Sequence, residues 1–180
     1  MNPLIIILSG KARAGKDTTA NFIKEIYKDK KVLNLQYSSY IKEYAKKISN
    51  WDGREETKPR ELLQKLGTDI IRNKLGSDFF VEKLIQDIKV YSFFFDVITI
   101  SDARFKIEID IPKSIFENVK AIRIERPNFD NGLTEEQKKH PTEIDLDDYN
   151  NYDYKIINDG SLDELREKVK DMLEEVQHES

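Results

Sequence analysis

The chain has 180 residues, of which 38% are hydrophobic and 36% charged, with a net charge of -4. That length supports one domain with a proper core, and the mildly acidic balance argues against general nucleic-acid or membrane-surface binding. There is no cysteine and only His140 and His178 as histidines, which excludes disulfides, thiolate catalysis, cysteine-ligated zinc and a histidine-rich metal site.

The first element is the apolar run Leu4 to Leu8, a strand covered on both faces. It is too short to cross a bilayer and lacks the basic lead-in of a secretory leader, so a cytoplasmic protein is expected. Helical spacing follows from Thr18 to Tyr27, with Phe22, Ile23 and Ile26 on the apolar side. Lys31 to Tyr37 reads as a second strand. Ser38 or Ser39 then caps a helix that turns Ile41, Tyr44, Ala45 and Ile48 inward. After a polar connection, Thr57 and Pro59 open a helix with Leu62, Leu63, Leu66 and Ile70 inward. A further helix follows Ser77 or Asp78. Strands are expected at DVITIS, ending at Asp102, at VKAIRIE, ending near Arg126, and at YKIIN. A Ser161–Glu164 capping box opens a terminal helix that buries Leu162, Leu165, Val169, Met172 and Val176.

Five strands with helical connections predict a three-layer α/β fold, with a central five-stranded parallel sheet and helices on both faces. No linker divides the chain, so residues 1–180 form one domain. Its helical region at about 38–90 would hold an acceptor, and the polar stretch at about 127–153 is long enough to be a lid.

The sequence SGKARAGKDTTANF carries the chemistry. Gly10 and Gly15, with Lys11, Ala12, Arg13 and Ala14 between them, lie between a buried strand and a helix. Such a turn points successive backbone N–H groups inward and adds the helix's positive end, an arrangement that wraps phosphates. Lys16 supplies a mobile charge for the terminal phosphates. Asp17 stands where a serine or threonine commonly follows the lysine. Two roles fit it: reaching a magnesium ion, or a favourable acidic place in the first helical turn. GKDT is similar to the adenylate-kinase type of loop with Asp17 in a glycine slot, which makes Thr18 the hydroxyl near phosphate.

Gly10, Tyr37, Asp102, Arg104, Arg126 and Asn158 all follow or end strands. In an open parallel sheet they share one rim, where ligands bind. Asp102 is placed to hold magnesium through water. Arg104 and Arg126 offer forked guanidinium groups to phosphate. Tyr37, Tyr40 and Tyr44 suit either base stacking or the core. In the polar stretch, Lys138 and Lys139 read as a solvated charge run and His140 as structural, although a closing lid would bring a cation toward a reacting phosphoryl group.

SGKARAGKDT resembles the opening of the phage-type deoxynucleoside monophosphate kinases, with a related GKD loop in animal-type phosphomevalonate kinases. KPRELLQKLGTD, SDARFKIE, IRIERP, HPTEIDLDD and IINDGSLDEL fit the first family in the same order, so the resemblance spans nearly the whole chain. Lys106 departs from the proline that often follows the phenylalanine of the D-x-R-F stretch. The resemblance implies a P-loop kinase fold with ATP and magnesium as cofactors. ATP would be gripped by the loop and Asn158, and the metal by Asp17, Thr18 and Asp102. Lys16, Arg104, Arg126 and Asp102 would promote transfer to a (deoxy)nucleoside monophosphate. It places Arg60 on the acceptor phosphate and Gln64 on its base, with Tyr37 and Arg104 beside them. The alternatives are a kinase for phosphomevalonate or dephospho-coenzyme A, and a regulatory ATPase. A guanine-reading Asn-Lys-x-Asp tetrad is absent, since NKLG at Asn73 fails at its last position. Partners are expected to be small nucleotides, with neither membrane nor nucleic acid.

Overall fold

A computed structural model describes residues 2–178. In chain order the elements are β1 (Leu4–Ser9), α1 (Lys16–Ile26), β2 (Val32–Leu35), α2 (Ser38–Ser49) and α3 (Arg60–Gln64), which runs on as a π-helix over Lys65–Leu75. Then come α4 (Phe79–Tyr91), β3 (Val97–Ala103), α5 (Ile107–Ile115), β4 (Val119–Glu125), α6 (Glu135–Lys138), α7 (Pro141–Ile144), β5 (Tyr154–Ile157) and α8 (Leu162–His178).

All six residues of β1 are buried because both its faces are covered. Leu4, Ile6 and Leu8 pack with Ile23 of α1 and Leu165, Val169 and Leu173 of α8. Ile5 and Ile7 point the other way, into a second core with Leu84 and Ile88 of α4 and Ile109 of α5. The sheet order is β2-β3-β1-β4-β5 and every pairing is parallel. Ile5 lies between Ile98 and Val119, so β1 is the central strand. The chain fills one side of β1 with β3 and β2, then crosses to the other side for β4 and β5. The carboxyl end of β1 is therefore the switch point of the sheet, where a parallel fold leaves a crevice.

The expected five-stranded, three-layer fold is the one observed, with some local differences. β2 is shorter than Lys31 to Tyr37, because the chain turns into α2 after Leu35. Ile48 and Leu162, expected to face inward, are 61% and 65% exposed. Ile48 lies in the last turn of α2, and Leu162 precedes the turn of α8 that reaches the sheet at Leu165. The Ser161–Glu164 capping box forms, with Ser161 N–H donating to Glu164 (2.6 Å) and Glu164 N–H to Ser161 Oγ (3.2 Å). Helix α5 has Pro112 inside it and three isoleucines at alternate positions, a pattern with no strong helical signal.

Candidate active site

The β1–α1 turn bends sharply. Gly10, Arg13 and Gly15 have positive φ (155°, 60° and 108°), and α1 starts at Lys16 directly after Gly15. A Cβ on Gly10 would lie 2.4 Å from the backbone oxygen of Ile124, so β4 and the turn touch without room for a side chain. Lys16 is buried and donates to the carbonyls of Gly10 and Lys11, both at 2.8 Å. Burial, with Arg104 beside it, pulls its ammonium down from 10.5 to about 7, against the pull of Glu143, Asp17 and Asp102.

Residues from the strand ends converge on this turn. Arg104, just past β3, donates to the Gly10 carbonyl at 3.2 Å, so that oxygen receives both Lys16 and Arg104. Asp17 accepts from Ser101 Oγ (2.9 Å) and Gln36 (3.1 Å), which ties the start of α1 to the ends of β3 and β2. Asp102 accepts the N–H groups of Tyr37 (2.9 Å) and Ser38 (3.0 Å) on its two oxygens. Neither Ser38 nor Ser39 caps α2; the cap comes from this carboxylate on β3. Asn158, after β5, donates to the Ala14 carbonyl at 2.9 Å and is buried.

Two of the cavities around this rim bring expected site residues together. The smaller, about 300 Å³, brings together Arg13, Lys16, Thr18, Arg126 and Asn158. Arg126 is stacked on Phe129, 3.7 Å from the ring centre to the guanidinium carbon. The larger, about 750 Å³, lies between α2, the π-helical stretch, the start of α5 and the 127–153 stretch, and includes Tyr37, Gln64, Arg72, Asp102 and Arg104. Arg60 does not line it. That side chain is 75% exposed and pairs with Glu55 at 2.9 Å. Gly67 is small for a packing reason, since a Cβ there would meet Ile41 of α2 at 3.1 Å.

Arg72 and Glu108 form the wall that sequence reasoning missed. Arg72 donates to Glu108 Oε1 at 2.7 Å and stacks on Phe105, 3.8 Å from the ring centre. Glu108, 1% exposed, also takes the N–H groups of Arg104 (2.7 Å) and Phe105 (3.2 Å) on its other oxygen. One buried carboxylate thereby fixes both the Arg72 side chain and the backbone that aims Arg104. Burial pushes its carboxyl up to about 7, against the pull of Arg72 and these N–H donors. Its carbonyl oxygen is also used. Pro112, four residues on, has no N–H to offer, and the Tyr37 hydroxyl donates to that oxygen instead at 2.9 Å. Tyr37 is thus a buried strut at the cavity edge, and burial raises its hydroxyl pKa well above the usual range.

The 127–153 stretch covers the large cavity. Its two short helices have their own caps: a Thr134–Gln137 capping box, and His140, whose ring accepts from the Thr142 N–H. Glu143 reaches the β1–α1 turn itself, taking the Ala12 N–H at 3.0 Å on one oxygen and Arg104 at 2.7 Å on the other. Lys138 is ion-paired with Glu135, and the polar contacts of Lys138 and Lys139 stay within α6 and the turn that closes it.

Among the described residues no group of three or more histidine, aspartate or glutamate side chains is placed to hold a metal by itself. No described helix is long and apolar enough to cross a membrane.

Comparison with known proteins agrees with this architecture. A protein of Acanthamoeba polyphaga mimivirus, provisionally named a deoxynucleotide monophosphate kinase, is 29% identical over 122 residues, 62% of this chain and 58% of its own length. The chain thus matches little more than half of that relative. Among solved structures, dephospho-CoA kinase from Campylobacter jejuni superposes with a TM-score of 0.55 at 14% identity, over 96% of each chain. Shikimate kinase from Bacteroides thetaiotaomicron gives a TM-score of 0.57 at 13% identity, over 95% of this chain and 98% of its own. At such identity the likeness is one of fold, that of the P-loop kinases. The family profile for deoxynucleotide monophosphate kinases matches residues 30–169, from β2 into α8. The chain belongs to the deoxynucleotide monophosphate kinase family.

Proposed function

We propose that the protein transfers the γ-phosphoryl group of ATP to a deoxynucleoside monophosphate, giving the diphosphate and ADP. The observation behind this reading is the shared carbonyl of Gly10. Lys16, which lines the smaller cavity, and Arg104, which lines the larger, both donate to it. Two ligand spaces thus meet at one cationic point, as an in-line transfer between two nucleotides requires.

In this reading the smaller cavity takes the ATP phosphates, with the turn's N–H groups, Lys16, Arg13 and Asn158 around them and Arg126 at its mouth. The larger cavity takes the monophosphate, with Gln64 and Tyr37 near the base and Arg72 and Arg104 as cations. A phosphate oxygen of the acceptor attacks the γ-phosphorus and the bond from that phosphorus to the β–γ bridging oxygen breaks, leaving ADP. No protein base is needed, because the acceptor oxygen is already anionic. Lys16 and Arg104 neutralise the charge that spreads over the moving group.

Magnesium fits this donor set as a nucleotide-borne ion, since it prefers a few protein oxygens completed by phosphates and water. Asp17 and Thr18 would be its protein side. It would draw charge from the β- and γ-phosphate oxygens. Asp102 has both oxygens engaged by α2, so its part is to place Tyr37 and the cavity wall.

A coupled ADP-release assay over a panel of monophosphates tests this, with Lys16→Ala as control. Turnover that depends on a deoxynucleotide supports the reading. Turnover only with phosphomevalonate or dephospho-coenzyme A, or hydrolysis indifferent to any acceptor, refutes it.

A further inference from the structure

The carboxylate of Glu143 is where an anion belongs. It accepts from the Ala12 N–H (3.0 Å) and from Arg104 (2.7 Å), and it is 9% exposed. Lys11, the remaining cation of the turn on that side, donates to the Glu143 backbone oxygen and to Asp147. Backbone amide, guanidinium and ammonium are the donors that a phosphate would use. We propose that Glu143 is a built-in anion that fills this phosphate position in the nucleotide-free protein. It has to withdraw, taking the preceding stretch with it, before a polyphosphate can settle. This rests on the nucleotide reading above and adds a regulation of the same site.

Charge requires the exchange. A phosphoryl oxygen accepting from the Ala12 N–H would stand where the Glu143 oxygen now stands, and two anions do not share one donor set. The attachments of the stretch show which part can leave. Beyond Glu143 it is fastened: Asp145 accepts the Lys106 N–H (2.8 Å), Leu146 is buried, and Tyr149 donates to Asp110 (2.7 Å). Before it, the hydrogen bonds and ion pairs of residues 128–142 are local, as in the Thr134–Gln137 box. Glu143 is the contact that latches the loosely held part to the turn. Opening the latch exposes the turn and the large cavity together, so nucleotide and acceptor sites become available in one movement.

The test is calorimetric binding of inorganic tripolyphosphate, and of ATP with magnesium, to the full chain. Wild type, Glu143→Gln, Glu143→Ala and Lys16→Ala are compared. A latch that holds the closed form about tenfold over the open one weakens binding by that factor, so both Glu143 variants are expected to bind about 10-fold more tightly. Ligand-free, they are also expected to be cut faster by trypsin at Lys138–Lys139 than wild type. Glu143→Asp keeps the charge on a shorter arm and falls between. Unchanged or weaker binding by the Glu143 variants, with wild type binding well and Lys16→Ala poorly, overturns the latch and leaves the nucleotide site standing. Binding by none of these proteins removes the nucleotide reading itself, and the latch with it.

Discussion

Replacing Arg72 by methionine tests whether the wall of the large cavity is held by one buried ion pair. The guanidinium lies 2.7 Å from a carboxylate that is 1% exposed. Breaking a buried pair from one side costs roughly 3–5 kcal/mol, because the remaining charge loses its partner without regaining water. Here Glu108 keeps the Arg104 and Phe105 N–H donors, so the lower end is expected, about 3 kcal/mol at pH 8. The double variant Arg72→Met/Glu108→Gln removes the orphaned charge and keeps an oxygen for those donors. It is expected to recover about 2 kcal/mol, a coupling that independent sites do not show. Acid should also rescue the single variant. Burial already raises the Glu108 carboxyl from 4.5 to about 7 with Arg72 in place, and losing Arg72 raises it further. In the folded state the carboxyl then keeps a proton that the unfolded chain releases above 4.5, so stability grows as pH falls. Below about 7 the carboxyl is protonated in both wild type and variant, so the deficit narrows by up to ~1.4 kcal/mol between pH 8 and 5.5 and then levels off. Urea denaturation of the four proteins of the cycle at pH 8, 6.5 and 5.5 measures all of this. Equal deficits for single and double variants at pH 8, or a deficit flat with pH, would refute the buried-pair account.

Other substitutions probe neighbouring links. Gly10→Ala drives a Cβ to 2.4 Å from a backbone oxygen in β4, whereas Gly15→Ala meets the Asn158 side chain at 2.7 Å, which can turn aside. Thermal unfolding should show Gly10→Ala costing about 3 kcal/mol and Gly15→Ala at least ~1 kcal/mol less; the reverse order would contradict the packing described. Tyr37→Phe leaves the Glu108 carbonyl without a donor, since Pro112 cannot supply one, and should cost about 1–2 kcal/mol in the same assay. In acceptor-dependent kinetics, Arg104→Met is expected to lower kcat/KM on the order of 100-fold, the loss typical of a donor to developing charge. Arg60→Ala should leave acceptor KM unchanged, and a large rise would return Arg60 to the site.

The parts of this fold that could be read in advance are those set by local rules. A five-residue apolar run with no polar face needs cover on both sides, and β1 has it. The Gly10 to Lys16 spacing between strand and helix forces a tight turn, and the turn is there. The rim residues Asp102, Arg104, Arg126 and Asn158 came together because parallel strands end on one side. What stayed hidden depends on tertiary partners. Asp17 joining Ser101, Asp102 capping α2, and Tyr37 serving the carbonyl that Pro112 leaves free all pair residues 64 to 84 positions apart.

The choice of arginine shows where local rules stop. Read with an α-helical period, Arg60 and Gln64 share a face and the next turns fall near positions 67 and 71. The chain instead winds as a π-helix from Lys65, with a wider i→i+5 turn. The cavity-facing residues come at Leu63 and Gln64, Gly67 and Thr68, and Arg72, while Ile71 turns into the core. Along this winding it is Arg72, and not Arg60, that faces the large cavity. Arg60 is left in solvent with Glu55, and Arg72 is brought against Phe105 and Glu108. The π-helical stretch lies close against α2, since a Cβ on Gly67 would meet Ile41 at 3.1 Å. The wall of the large cavity, the acceptor site proposed above, therefore depends on the contact between α2 and the π-helical stretch. Substitutions at Ile41 or Gly67, which bear no charge, should disturb acceptor binding more than the loss of Arg60.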